Sequence, residues 1–151
     1  MAIQEAVELR QQLAANRPAA FNPDLADSLH NLSNHLSNLG HREGALMAIQ
    51  EAVELGRQLA ADQPAAFNPD LAMSLNNLSI CLSDLGHRED ALMAIQEAVE
   101  LYQQLVADRP AAFNPYLANS LNHLSKCLFD LECEEDTKEA TKEATVARTC
   151  I

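Results

Sequence analysis

Leucines return along the chain at spacings of 4, 3, 4 and 3 in three separate stretches: Leu25, Leu29, Leu32, Leu36, Leu39; then Leu71, Leu75, Leu78, Leu82, Leu85; then Leu117, Leu121, Leu124, Leu128, Leu131. Such spacing places each set on one face of an α-helix and leaves the polar residues between them on the others. Gly40 and Gly86 interrupt the pattern after the first two sets, too early for a coiled coil, and suit the left-handed position that closes a helix. A second helix is expected after each glycine, over Arg42 to Asp62 and Arg88 to Asp108. Part of that second helix, Ala48-Ile-Gln-Glu-Ala-Val-Glu-Leu55, is identical to Ala2–Leu9 and to Ala94–Leu101, a period of 46 residues. A period of this size indicates stacked helix hairpins rather than one closed domain.

The chain therefore begins in the second helix of a unit, and Ile3, Ala6, Val7 and Leu13 form an apolar stripe with nothing upstream to cover it. Either the chain is a fragment or that face has a partner. Between hairpins, Arg17-Pro-Ala-Ala-Phe-Asn-Pro-Asp24 recurs at Gln63–Asp70 and, altered, at Arg109–Tyr116. Pro18 is expected to close the preceding helix, Asn22 to cap the next, Pro23 to occupy its first position, and Phe21 to pack back as a staple. After Leu131 the repeat decays: Glu132 stands in the glycine's place, and Thr137, Thr141 and Ala147 replace Ala91, Ile95 and Leu101. Residues 1–131 are read as the array, and 132–151 as a degenerate capping helix or a frayed acidic tail.

Composition narrows the function more than the fold. A formal charge of −12 repels phosphate backbones and anionic membranes, so neither nucleic acid nor membrane is an expected partner. Cys81, Cys127, Cys133 and Cys150 form no C-x-x-C pair, and reduced structural thiols are expected. With no hydrophobic run of bilayer length and no targeting segment, a cytoplasmic location is the expectation. His30, His35, His41, His87 and His123 lack metal-ligand spacing, and no phosphate loop, nucleophile elbow or zinc-protease motif is present. No enzyme activity, metal or cofactor is expected.

Leu75, Leu78, Ser79, Leu82, Gly86, Ala91, Ile95 and Ala98 fall at the spacing of the tetratricopeptide signature, as do Leu29, Leu32, Ser33, Leu36, Gly40, Ala45, Ile49 and Ala52 one repeat earlier. Small Ser79, Ala91 and Ala98 allow close helix approach, and the leucines and Ile95 fill the space between. The chain thus resembles a tetratricopeptide array of the long-repeat kind found in kinesin light chains, and is similar to arrays associated with fungal nucleotide-binding receptors. The family's tryptophan and tyrosine are leucines here, and 46 residues exceed the usual ~34. The resemblance implies an all-α, right-handed superhelical solenoid of antiparallel helix hairpins. It implies a scaffold whose first helices line a concave groove for extended peptides.

The first helices of copies one and two differ at Asp27/Met73, His30/Asn76, Asn34/Ile80, His35/Cys81 and Asn38/Asp84. All but His35/Cys81 lie on one face opposite the leucines, where the third copy carries Asn119, Asn122, Lys126 and Asp130. Neutral drift on an exposed face would also give this pattern. Read functionally, the stripe is a peptide-binding face, its asparagines offering donors and acceptors to a backbone. Asn31 and Asn77 match family asparagines that either brace neighbouring helices or hold the peptide. The family's two-carboxylate clamp is not expected, because His30, Asn119 and His123 stand about where its cations belong and only Lys126 remains. The leading expectation is a non-catalytic module binding a protein or peptide. The alternative is self-assembly, as a homo-oligomer through the uncovered repeat ends, or a piece of a larger signalling receptor.

Overall fold

The computed structural model describes the backbone of residues 2–16 and 18–149 and the side chains of 3–15, 20–135, 138, 139 and 142. Its elements are α1 (Ala2–Asn16), α2 (Pro18–Asn38), α3 (Arg42–Asp62), α4 (Pro64–Asp84), α5 (Arg88–Asp108) and α6 (Pro110–Thr149), with no strand among the described residues. Each helix packs on the next along the chain, giving an all-α solenoid of consecutive hairpins. The thiol of Cys150, Arg17 and the side chains of Pro18, Thr137, Thr141 and Ala147 lie outside the described residues.

The glycine turns form as their spacing predicts. Gly40 and Gly86 have φ of +79° and +82°. In the first turn His41 N donates to Leu36 O (2.9 Å) and Gly40 N to Ser37 O (3.0 Å); in the second His87 N donates to Leu82 O (2.9 Å) and Gly86 N to Ser83 O (3.0 Å). This pair of bonds satisfies carbonyls that a helix end leaves open. A Cβ on Gly86 would meet nothing within 4 Å, so Gly86→Ala should cost only the left-handed backbone strain, about 1–2 kcal/mol, read as a shift in the urea midpoint.

The link between hairpins differs from the sequence expectation. A single residue, Gln63, separates α3 from α4, and Arg109 does the same between α5 and α6. Gln63 O accepts from Ala66 N (3.2 Å) and Phe67 N (3.1 Å), so α4 restarts at Pro64 rather than after Asn68. Two prolines compete for the first helical position, and the earlier one takes it because its missing N–H has no carbonyl to serve there. Pro69 then lies inside α4, as do Pro23 in α2 and Pro115 in α6. The bond it forfeits is to the carbonyl of Ala65, an exposed residue that water reaches.

The register of the repeat calls for a third reversal near Glu132, yet the backbone makes none, and α6 continues to Thr149. Without a glycine the left-handed turn is costly, and the Glu134–Lys138 pair (2.8 Å) supports the helix at i,i+4. Glu134 also pairs with Arg88 of α5 (3.3 Å).

Two apolar clusters run through the stack. One gathers Val7, Leu25, Leu29, Ala45 and Ile49; the other gathers Leu71, Leu75, Leu82, Ala91, Ile95 and Ala98. Val7, placed by sequence in an uncovered stripe, is only 5% exposed, since α1 lays it against α2; Leu13 of the same stripe is exposed, as is Leu9. Ser33 and Ser79 are buried at the tight crossings, where each hydroxyl donates to the first turn of the next helix, Ser33 Oγ to Ala45 O (2.8 Å) and Ser79 Oγ to Ala91 O (2.7 Å). A serine thereby keeps the closeness of alanine with its polar atom satisfied.

Candidate functional site: the seam between first helices

Helices α2, α4 and α6 meet through polar side chains on the side where the copies vary. Asn77 Nδ2 donates to His30 Nε2 (3.0 Å) and to Asn34 Oδ1 (3.2 Å). This leaves the proton of neutral His30 on Nδ1, facing Ser74 Oγ (3.3 Å). In the next seam Ser120 Oγ donates to Asn76 Oδ1 (3.0 Å). Ser79 Oγ, having donated to Ala91 O, accepts from His123 Nε2 (3.0 Å). Cys127 Sγ lies 3.8 Å from the hydroxyls of Ser79 and Ser83, and Cys81 Sγ 3.9 Å from Ser33 Oγ. Cys81 and Cys127 are buried free thiols, and burial pushes the Cys81 thiol up from its ordinary value. Among the described residues no group of His, Cys, Asp or Glu is arranged to hold a metal ion.

Both bridging histidines are held below the ordinary value of 6.5, first of all by burial. Asp27 and Asp70 oppose the shift at His30; at His123 Lys126 adds to it, while Asp130, Asp84 and Ser79 oppose it. A depressed folded-state value means that the unfolded chain takes up the proton first as pH falls. The contribution is complete above about pH 6.5 and is lost as pH drops through the folded values. Tm should therefore decline below about pH 6.5, and a His30→Gln, His123→Gln variant should decline less steeply; identical slopes would remove the neutral bridges from the account. Asp27 moves the other way, raised by burial and then by Asp70 and Asp24, with His30 and Arg10 opposing.

The stripe read from sequence divides into groups. Asp27, His30, Asn31 and Met73 line a cavity of about 240 Å³ between α2 and α4, with Ala52, Gly56 and Leu59 of α3 contributing. Towards the C-terminal end of α2, beyond the His30–Asn77 bridge, Asn34, Asn38, Asn77 and Ile80 line a second, more open hollow of about 450 Å³ with Ser37 and Cys81. Asn77 spans the seam; Asn31 is exposed beside the first cavity. Asn76 is engaged with Ser120, and Asp84, Asn119, Asn122 and Lys126 are exposed outside both hollows. Asp130 lines a separate depression with Arg88, Cys133, Glu134 and Lys138.

Comparing first helices alone misses Gly56, Phe67, Asp70 and Ser74, all of which line the first cavity. The signal for Gly56 lies in the second helices, where Arg10, Gly56 and Tyr102 share one repeat position; Asp24, Asp70 and Tyr116 share another. Tyr102 is buried and stacks on Tyr116, with ring centroids 5.9 Å apart and planes 12° from parallel. Burial pushes its hydroxyl up to about 12.

No helix among the described residues is long and apolar enough to cross a membrane. No curated protein sequence matches the chain significantly. The family model described as tetratricopeptide repeat matches residues 25–65 and 71–111, each match running from the first leucine of a first helix through its glycine turn and the second helix that follows. With more than half of its length matched and its helices stacked in the hairpins that the motif specifies, the chain belongs to the tetratricopeptide repeat family.

Proposed function

We propose that this protein is a non-catalytic interaction module, with residues 1–131 forming the array and the α2–α4–α6 side taking an extended peptide from a protein partner. The observation that carries this reading is the pair of hollows flanking the His30–Asn77 bridge, lined by most of the positions that vary between otherwise near-identical first helices. Bridged helices give a rigid floor, and a preorganised surface loses little freedom on binding. The exposed amides of Asn31, Asn38, Asn119 and Asn122 offer both donors and acceptors to a peptide backbone. Tetratricopeptide repeats generally serve as protein-interaction modules, and the charge of −12 disfavours nucleic acid. A cytoplasmic setting suits the free thiols.

Random peptides displayed on phage and selected on this chain test the reading. Selected peptides should lose about tenfold or more in affinity on an Ile80→Glu, Lys126→Glu variant whose helicity is unchanged. Peptides indifferent to those substitutions would place binding elsewhere. A second reading, self-association, draws on exposed Leu121, Leu128 and Phe129 of α6 together with Leu9 and Leu13 of α1. A sedimentation profile that stays monomeric at high concentration would remove it.

A further inference from the structure

One position of the repeat is filled in two interfaces and vacant in the third. Arg10 of α1 reaches across to α2, where its Nη1 donates to Asp24 O (3.1 Å) and bonds Ser28 Oγ. Tyr102 of α5 reaches α6 and lays its ring on Tyr116. Between them, α3 carries Gly56, which has no side chain to reach across and lines the cavity of about 240 Å³. For comparison, roughly 150 Å³ holds a benzene ring. The residues that Arg10 engages return one period later as Asp70 and Ser74, and both line this cavity. Arg57, the next residue of α3, is turned away, its Nη2 donating to Glu97 Oε2 (2.8 Å) on α5.

The lining chooses among occupants. Asp27 and Asp70 contribute two carboxyl groups, no lysine or arginine among the described residues lines the cavity, and His30 is engaged with Ser74 and Asn77. Burial and then the carboxylates of Asp70 and Asp24 raise Asp27, His30 and Arg10 offset them only in part, and an entering cation relieves the remainder. Ala52, Leu59 and Phe67 offer apolar surface suited to a methylene stem, and the aromatic wall suits a planar, weakly hydrated head. A ring like that of Tyr102 would fit by volume but would leave both carboxylates unpaired and partly desolvated.

We infer that the cavity beside Gly56 is a receptor for an arginine side chain of the bound peptide, whose guanidinium takes the place held by Arg10 one repeat earlier, between Asp27, Asp70 and Ser74. This rests on the groove reading and narrows its partner to a peptide with an arginine anchor.

The test uses the whole chain and four short glycine-flanked peptides, capped at both ends, with arginine, citrulline, lysine or phenylalanine at the centre, followed by amide chemical shifts. The arginine peptide should move Gly56, Asp70 and Ser74 saturably. Citrulline, the same shape without the charge, should bind at least about tenfold more weakly, and lysine should fall between. Gly56→Arg should abolish the response, because it supplies the occupant from within; the Cβ it adds presses on Leu71 Cδ1 at 3.3 Å and touches Leu71 Cα and Cβ at 3.7 Å, so a small fall in Tm is expected while the fold is kept. Should that variant misfold, Asp27→Asn with Asp70→Asn is to weaken arginine binding by about tenfold or more. Equal binding of arginine and citrulline, preference for phenylalanine, or arginine binding that survives Gly56→Arg would each overturn the inference. Phage-selected peptides that lose affinity on Ile80→Glu, Lys126→Glu but not on Gly56→Arg would overturn it too while leaving the groove intact. Peptides that respond to neither set would remove both.

Discussion

Leu75→Ala is expected to destabilise the protein by about 2–5 kcal/mol, lowering the urea midpoint and Tm together. Leu75 is 0% exposed and sits in the larger apolar cluster beside Leu71, Leu82, Ala91 and Ile95, where α4 meets α5. Its truncation forfeits the transfer energy of the side chain and opens a void that the neighbours cannot close, because Ser79, Ala91 and Ala98 already hold the helices at close range. In a solenoid each unit is supported only by its neighbours, so a weakened central hairpin should uncouple the two ends. Hydrogen exchange should show this as faster exchange in α4 and α5 with α2 and α3 less affected. A loss below about 1 kcal/mol would mean that the central crossing relaxes freely, contrary to the packing described.

Tyr102→Ala should cost about 3–5 kcal/mol, the range for truncating a large buried aromatic. Tyr102 is 3% exposed, and its stacked partner Tyr116 would lose the ring that covers it. Near-parallel aromatic pairs at this separation contribute roughly 0.5–1.5 kcal/mol beyond the area they bury, so Tyr116→Ala alone should cost less than Tyr102→Ala, and the double variant less than the sum. The substitution would also recreate, between α5 and α6, the vacancy that Gly56 leaves between α3 and α4. It therefore separates what filling this position contributes to the stack from what leaving it open permits. Retention of full stability would show that the ring is ornamental to the interface.

The leucine ladders, the glycine turns and the bounds of α3 and α5 were legible because they depend on neighbours within a few residues. The limits Arg42–Asp62 and Arg88–Asp108 agree with the hydrophobic period, and Gly40 and Gly86 adopt the left-handed backbone that their position requires. Pro64 and Pro69 were harder to rank, because either fits a first helical turn in isolation. The winner depends on Gln63, whose carbonyl takes the first free N–H groups of α4. Glu132 marked the end of the regular repeat in sequence, but lacking a glycine gave no direction to the chain that follows; the backbone simply extends α6. The exposed stripe was found by comparing copies, yet that comparison covered only first helices, and so overlooked Gly56, where the copies differ most in size.

From the sequence alone came the family, the hairpin architecture and the face on which the copies vary, since a repeated motif reports what each unit needs locally. Only the tertiary structure decided that Asn77 bridges His30 and Asn34, that Val7 is covered by α2, and that Gly56 opens onto Asp27, Asp70 and Ser74. The physical reason is distance along the chain. A helical face follows from spacings of three and four, whereas a bridge between Asn34 and Asn77 or a cavity shared by Asp27, Gly56 and Asp70 exists only once three separate helices have packed, and helix packing sets which side chains meet.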